Sequence, residues 1–273
     1  TLQGSGNSTG VFIKNLNNVT VRNMEISNFY YGIRLLSDVY MEISGNHTVS
    51  ANTITNSEHG IYILHSANNV LRNNQMNNNT NSLTITHSPL SYYITAYVND
   101  IDASNTANGK PIIYWFNQHN KIVPSDAGYV GLISCTGIKV QNLNLTRNSQ
   151  GILLVYTNHS TITQNTVTHN GGDGIFAYNC SNNIISENIV TNNGNYGIGL
   201  YYSPNNTISK NIITSNNQTG IYLITSSNNS ITDNKITQNN EGIQIYDRSI
   251  HIILDGNPIT ENNEYGVSLT WTG

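Results

Sequence analysis

The chain has 273 residues, a formal net charge of −4, and only 10% charged side chains. Its 11 Lys and Arg form no basic patch, so nucleic acid is a poor partner. No apolar run reaches 18 residues, so no membrane-spanning helix is expected.

The amino-terminal part repeats loosely. Asn23 with Gly32, Asn52 with Gly60, and Asn74 with Leu83 share one grammar: an Asn, a short β-branched run, a polar turn, then an apolar pair. The stretch from Ser37 to Asn46 inserts extra residues between copies. At about 88–131 the grammar breaks, and three of the five prolines fall there. This segment predicts an irregular coil or an inserted hairpin within one continuous solenoid over 1–273. It holds Asp100, Asp102, Lys110 and Asp126, and irregular loops carry function more often than regular coils do. Its GKP and PSDAG runs also fit plain turn chemistry.

From Asn142 onward the register is strict. Asn142, Asn165, Asn188, Asn211, Asn234 and Asn257 return every 23 residues, and Gly151, Gly174, Gly197, Gly220, Gly242 and Gly266 follow them. Each copy carries three apolar runs too short for a helix and rich in β-branched residues. Three short strands and three turns use up about 23 residues, after which the chain rises by ~4.8 Å and repeats. That is one coil of a parallel β-helix, an all-β solenoid. Ile152, Ile175, Ile198, Ile221, Ile243 and Val267 form one inward column, and Ile162, Ile185, Ile208, Ile231 and Leu254 another. The six Asn are read as a structural ladder whose amides satisfy backbone groups at a corner.

Cys135 and Cys180 fall at nearly the same corner two coils apart, ~9–10 Å, too far for a disulfide. Asn-x-Ser/Thr sequons occur at Asn7, Asn18, Asn46, Asn78, Asn144, Asn158, Asn179, Asn205, Asn217 and Asn228, which favours an extracellular or cell-surface location. Both ends read as mid-coil. A fragment of a longer protein and a subunit whose ends are covered by neighbours both account for that.

The run DAGYVGLISCTGIKVQNLNLTRNSQGILLVYTNHSTITQN, the coil NGGDGIFAYNCSNNIISEN and the interruption NTANGKPIIYWFNQ resemble archaeal and bacterial right-handed β-helix proteins. These are grouped with the copper-site maturation factor NosD and with carbohydrate-binding and sugar-hydrolase (CASH) domains. The resemblance covers essentially the whole chain and implies the right-handed form of the fold. The group spans lyases, hydrolases, epimerases and non-enzymatic surface proteins, so it implies no single activity.

Polysaccharide cleavage needs an acid and a base a few ångströms apart, which in a stacked coil means carboxylates in one register. Asp173 sits before a repeat Gly, in a column with Gln150, Tyr196 and Thr219, and is read as a turn residue. The column before the ladder Asn reads Gln164, Glu187, Lys210, Asp233, an alternating charge stack expected at the surface. The fallback catalytic residues are Asp173, the best single carboxylate candidate, and the acid pair Glu187 and Asp233 with Lys210 between them. His159 and His251 share a register but lie ~19 Å apart, and Met24, Met41 and Met76 are scattered. Neither copper nor calcium is supported by ligand clustering, and no cofactor is expected.

Outward positions after the repeat Gly carry Leu153, Phe176, Tyr178, Tyr201, Tyr222 and Tyr246 where a solvated face would carry Thr, Ser or Lys. Such an apolar face predicts a contact surface. The expected function is a secreted or cell-surface structural or adhesive module that self-associates, or binds another surface protein, without a catalytic site. The alternatives are a carbohydrate-active enzyme (lyase, hydrolase or epimerase) and a non-catalytic carbohydrate-binding module acting on polysaccharide.

Overall fold

The computed structural model describes residues 1–38, 44–86 and 94–271. Met41, the segment 88–93 and the last two residues therefore lie outside the described residues. The chain divides into two compact units. The first comprises Thr1–Phe116, Asp126–Tyr129 and Arg147–Ser149, and the second Asn117–Ser125, Val130–Thr146 and Gln150–Gly273. Each is all-β, built of coils whose strands pair in parallel with the strand one coil away.

The strands are short because each carries one inward residue between two outward ones. Thr161–Thr163 and Thr166–Thr168 both read Thr-apolar-Thr, with the middle residue buried and the threonines half-buried. Period-2 alternation puts the β-branched apolar residue inside, and Thr suits the pleated outer surface. Stacking then builds the core. The pairings Ile152↔Ile175, Ile175↔Ile198, Ile198↔Ile221, Ile221↔Ile243 and Ile243↔Val267 reproduce the first inward column. The second column pairs likewise from Ile162 to Leu254, and its first four members are buried.

In the first unit the regular coils end in a hairpin. Thr106–Ala107 pairs antiparallel with Lys110–Phe116, and the two-residue turn is Asn108-Gly109. Both turn residues have positive φ, 50° and 79°, the geometry that favours Asn-Gly in a tight hairpin. A 3-10 turn, Ile94–Tyr97, precedes it.

Corners set the rest of the architecture. In the second unit Asn142, Gln164, Glu187, Lys210, Asp233 and Gly256 share one corner and all have φ between 56° and 62°. The residue after each turns inward. Asn188 donates from its amide to Asn211 Oδ1 at 3.0 Å and to the Ile162 carbonyl at 2.9 Å. Its Oδ1 accepts from the Asn165 backbone N–H and amide, both at 3.0 Å. The ladder runs on through Asn211, Asn234 and Asn257.

Asn142 is not in that ladder, contrary to the sequence expectation. The coil that follows it is one residue short, so Leu143 takes the inward slot and donates its N–H to Asn165 Oδ1, 22 positions on. Asn142 is left exposed at the left-handed corner. Other ladders escaped the sequence reading. Asn170, Asn193, Asn216, Asn239 and Asn262 form one, and Asn183, Asn206 and Asn229 another. A third, of hydroxyl and thiol groups, runs through Thr157, Cys180, Ser203, Ser226 and Ser249. Cys135 heads it, donating its N–H to Thr157 Oγ1. The two cysteines thus lie two coils apart in one column and form no disulfide. Burial pushes the Cys180 thiol up to about 12, which keeps it protonated as a ladder member.

Candidate functional site around Asp173

Asp173 is the buried carboxylate of the second unit, 3% exposed. It precedes the strand Ile175–Tyr178, and its partners come from the next coil. Asn195 Nδ2 donates to Oδ1 at 2.5 Å, and the Tyr196 backbone N–H donates to the same oxygen at 3.3 Å. The Tyr201 hydroxyl donates to Oδ2 at 3.3 Å. Burial raises the Asp173 carboxyl to about 7, although these three donors pull it down. The same burial and the nearby carboxylate drive the Tyr201 hydroxyl well above its ordinary value.

Aromatic rings surround this carboxylate. Tyr196 and Tyr222 stack face to face, 4.4 Å between centroids and 6° apart. Phe176 and Tyr201 lie 4.8 Å apart, and Tyr201 and Tyr222 5.7 Å. All four rings are half-buried, so each keeps some surface open to solvent. The outward column runs Leu153, Phe176, Gly199, Tyr222, Gln244. Gly199 makes room at its centre: a Cβ there would lie 2.7 Å from Asp173 Oδ2 and 2.8 Å from the Tyr201 ring. The result is a carboxyl that titrates near neutrality, ringed by aromatic faces and one phenolic hydroxyl. Groups of that kind can accept sugar hydroxyls and stack on sugar C–H faces, and the carboxyl can hold or release a proton.

The other expected site residues fall elsewhere. Glu187, Lys210 and Asp233 occupy the exposed left-handed corner, and among the described residues no ion pair joins them. Glu187 instead accepts from Gln164 Nε2 at 2.9 Å. The expected aromatic face is less open than its sequence suggests: Leu153 is fully buried and Tyr178 is 5% exposed, while Tyr246 is half-buried. Tyr178 packs edge-on against Tyr156 and Tyr202. In the first unit Asp100 and Asp102 are both bound by the Arg72 guanidinium. Among the described residues no group of three His, Cys, Asp or Glu is placed to hold a metal ion. His159 and His251 occupy left-handed corner positions. No helix of the described residues is long and apolar enough to cross a membrane.

Sequence reasoning named Asp173 as a fallback candidate and a turn residue, put Tyr196 in its column and Tyr201 on the outward face, but missed that Asn195 and Gly199 complete the site. The signal was present: in NYGIGL, Tyr196 stands one repeat after Asp173, so the two lie in adjacent coils.

The sequence matches the family model for the right-handed β-helix region over residues 1–123 and 129–273. The chain belongs to the right-handed β-helix family. Among solved structures it is similar to a variant of the periplasmic alginate epimerase AlgG, with a TM-score of 0.53 and 18% identity over 96% of this chain and 64% of that one. It is similar also to the Dettilon tailspike protein, with a TM-score of 0.50 and 14% identity over 94% of this chain and 61% of that one. The chain therefore spans less than two thirds of either protein's length. At these identities the likeness is one of fold. A comparison with curated proteins finds no match.

Proposed function

We propose that this chain is a secreted or cell-surface β-helix module that engages polysaccharide through the ring cluster around Asp173. The observation that carries this reading is the arrangement of Phe176, Tyr196, Tyr201 and Tyr222 about one carboxyl, on strands that present them in register. Rings supply faces for sugar C–H groups, and the carboxyl and phenol supply directional hydrogen bonds. The resemblance to NosD-like and CASH proteins, and the fold shared with an alginate epimerase and a tailspike, support the polysaccharide class by analogy. The exposed sequons at Asn205, Asn217 and Asn228 support an extracytoplasmic surface.

Calorimetric titration of the full chain with a panel of polysaccharides tests the proposal. Tyr222→Ala and Tyr196→Ala are each expected to weaken binding by roughly tenfold, about 1.4 kcal/mol, without a change in fold. Unchanged affinity in both variants rejects this surface.

A carbohydrate-active enzyme is the second reading, favoured by the Asp173 carboxyl titrating at about 7, where a general acid or base works best. Product formation from a bound polysaccharide, lost in Asp173→Asn and kept in the corner variant Glu187→Gln, would establish it. Self-association through the same face, the role first expected from the sequence, is weakened by the burial of Leu153 and Tyr178.

A further inference from the structure

Among the described residues, one guanidinium of the first unit has no hydrogen-bond partner. Arg34 stands at an outward position of the strand Tyr31–Leu36, between Phe12 on one neighbouring coil and Tyr62 on the other. Its guanidinium carbon lies 4.6 Å from the Tyr31 ring centroid, 5.3 Å from Phe12 and 5.7 Å from Tyr62. Its Nε is buried and makes no hydrogen bond, and among the described residues no carboxylate pairs with it. Two other cations of this unit have carboxylate partners: Lys14 pairs with Asp38 at 3.2 Å, and Arg72 with Asp100 and Asp102.

Rings attract a cation through their faces but accept none of its in-plane N–H bonds, so the guanidinium keeps donor capacity that the rings do not use. Leaving a half-buried cation without an anion costs stability, and a bound anion would recover that cost. The three rings also hold the guanidinium plane in one orientation, which removes part of the entropy a flexible Arg would lose on binding. Beside it Phe12 is 52% exposed, and on the far side of Tyr31 the 43% exposed Tyr30 packs edge-on to that ring at 4.7 Å. His59 stacks on Tyr31 and is held neutral down to about 4 by burial and by Arg34 itself, so Arg34 is the cluster's positive charge.

We propose that Arg34, beside the exposed ring of Phe12, is a second glycan-binding site, selective for sugars that carry a carboxylate on the ring. The planar fork matches a carboxylate bidentately, and the exposed Phe12 ring lies beside it to take the sugar's C–H face. The site lies wholly within the first unit and does not depend on the Asp173 surface.

The test is titration of the full chain with short oligomers of galacturonate, mannuronate and glucuronate, each against its methyl ester. At least one acid is expected to bind tenfold or more tightly than its ester. Arg34→Gln should abolish that preference with an unchanged circular dichroism spectrum, and Arg34→Lys should restore part of it. Tyr222→Ala should leave the preference intact, which separates this site from the Asp173 surface. Equal binding of acid and ester across all three sugars, or a preference that survives Arg34→Gln, overturns the proposal.

Discussion

At the scale of single residues, one carboxyl and one amide behave oppositely to their neighbours in the sequence. Asp173 has a folded-state pKa of about 7, above the ~3.9 of an unfolded Asp. The folded state therefore binds its proton more tightly than the unfolded state does. Its contribution to stability is fully present below pH ~4 and is lost as pH rises through about 7. Denaturation midpoints measured from pH 3 to 9 should show this decline, and Asp173→Asn should flatten it. Asn188 and Asn142 look equivalent in sequence but are not. Asn188→Ala strips the partners of the Asn165 N–H and amide and of the Ile162 carbonyl, all buried, and is expected to cost about 3 kcal/mol or more. Asn142→Gly touches only a solvated left-handed corner and should change stability by less than about 1 kcal/mol. Urea titrations of the two variants check this directly.

Coil spacing is decided at the scale of the element. Gly151, Gly174, Gly197, Gly220 and Gly242 each pack against the carbonyl of the next coil's repeat Gly. At Gly197 an added Cβ would lie 2.6 Å from both the Gly220 carbonyl oxygen and an Ile213 methyl, and 3.0 Å from the Asn216 amide. None of these can retreat, because the carbonyl belongs to the next strand and Asn216 is tied into its ladder. Gly197→Ala is expected to destabilise by about 2–4 kcal/mol, read as a lower urea midpoint. The hairpin Thr106–Phe116 follows different logic. Its Asn108-Gly109 turn is set by local backbone preference, so Gly109→Ala should strain the turn through its φ of 79° while leaving the ladders untouched.

For the molecule as a whole, repetition makes protection graded. Within the second unit, strands such as Thr161–Thr163 and Ile184–Ser186 have a fully enclosed middle residue, whereas all three residues of Ile253–Asp255 are exposed. Stability in a stack is a sum over neighbouring interfaces, so opening begins where burial is least. Native-state hydrogen exchange should find the amides of Ile253–Asp255 and Val267–Thr270 the fastest among the strands, and those around Asn165, Asn188 and Asn211 the slowest. Uniform protection would contradict that picture.

Much of this protein was legible from spacing alone. The 23-residue register determined the parallel coil, the two inward columns and the corner shared by Cys135 and Cys180, because period-2 alternation and a fixed coil length leave one arrangement that buries the isoleucines. Periodicity could not resolve which of two adjacent residues turns inward where a coil is one residue short, and so it misplaced Asn142. Nor could it show that Leu153 and Tyr178 are buried, since outward-facing is not the same as exposed. Only the tertiary structure joined Asp173 to the Asn195 amide and the Tyr201 hydroxyl. It alone left Arg34 among rings without an anion, because such pairings depend on distances between coils that no linear pattern encodes.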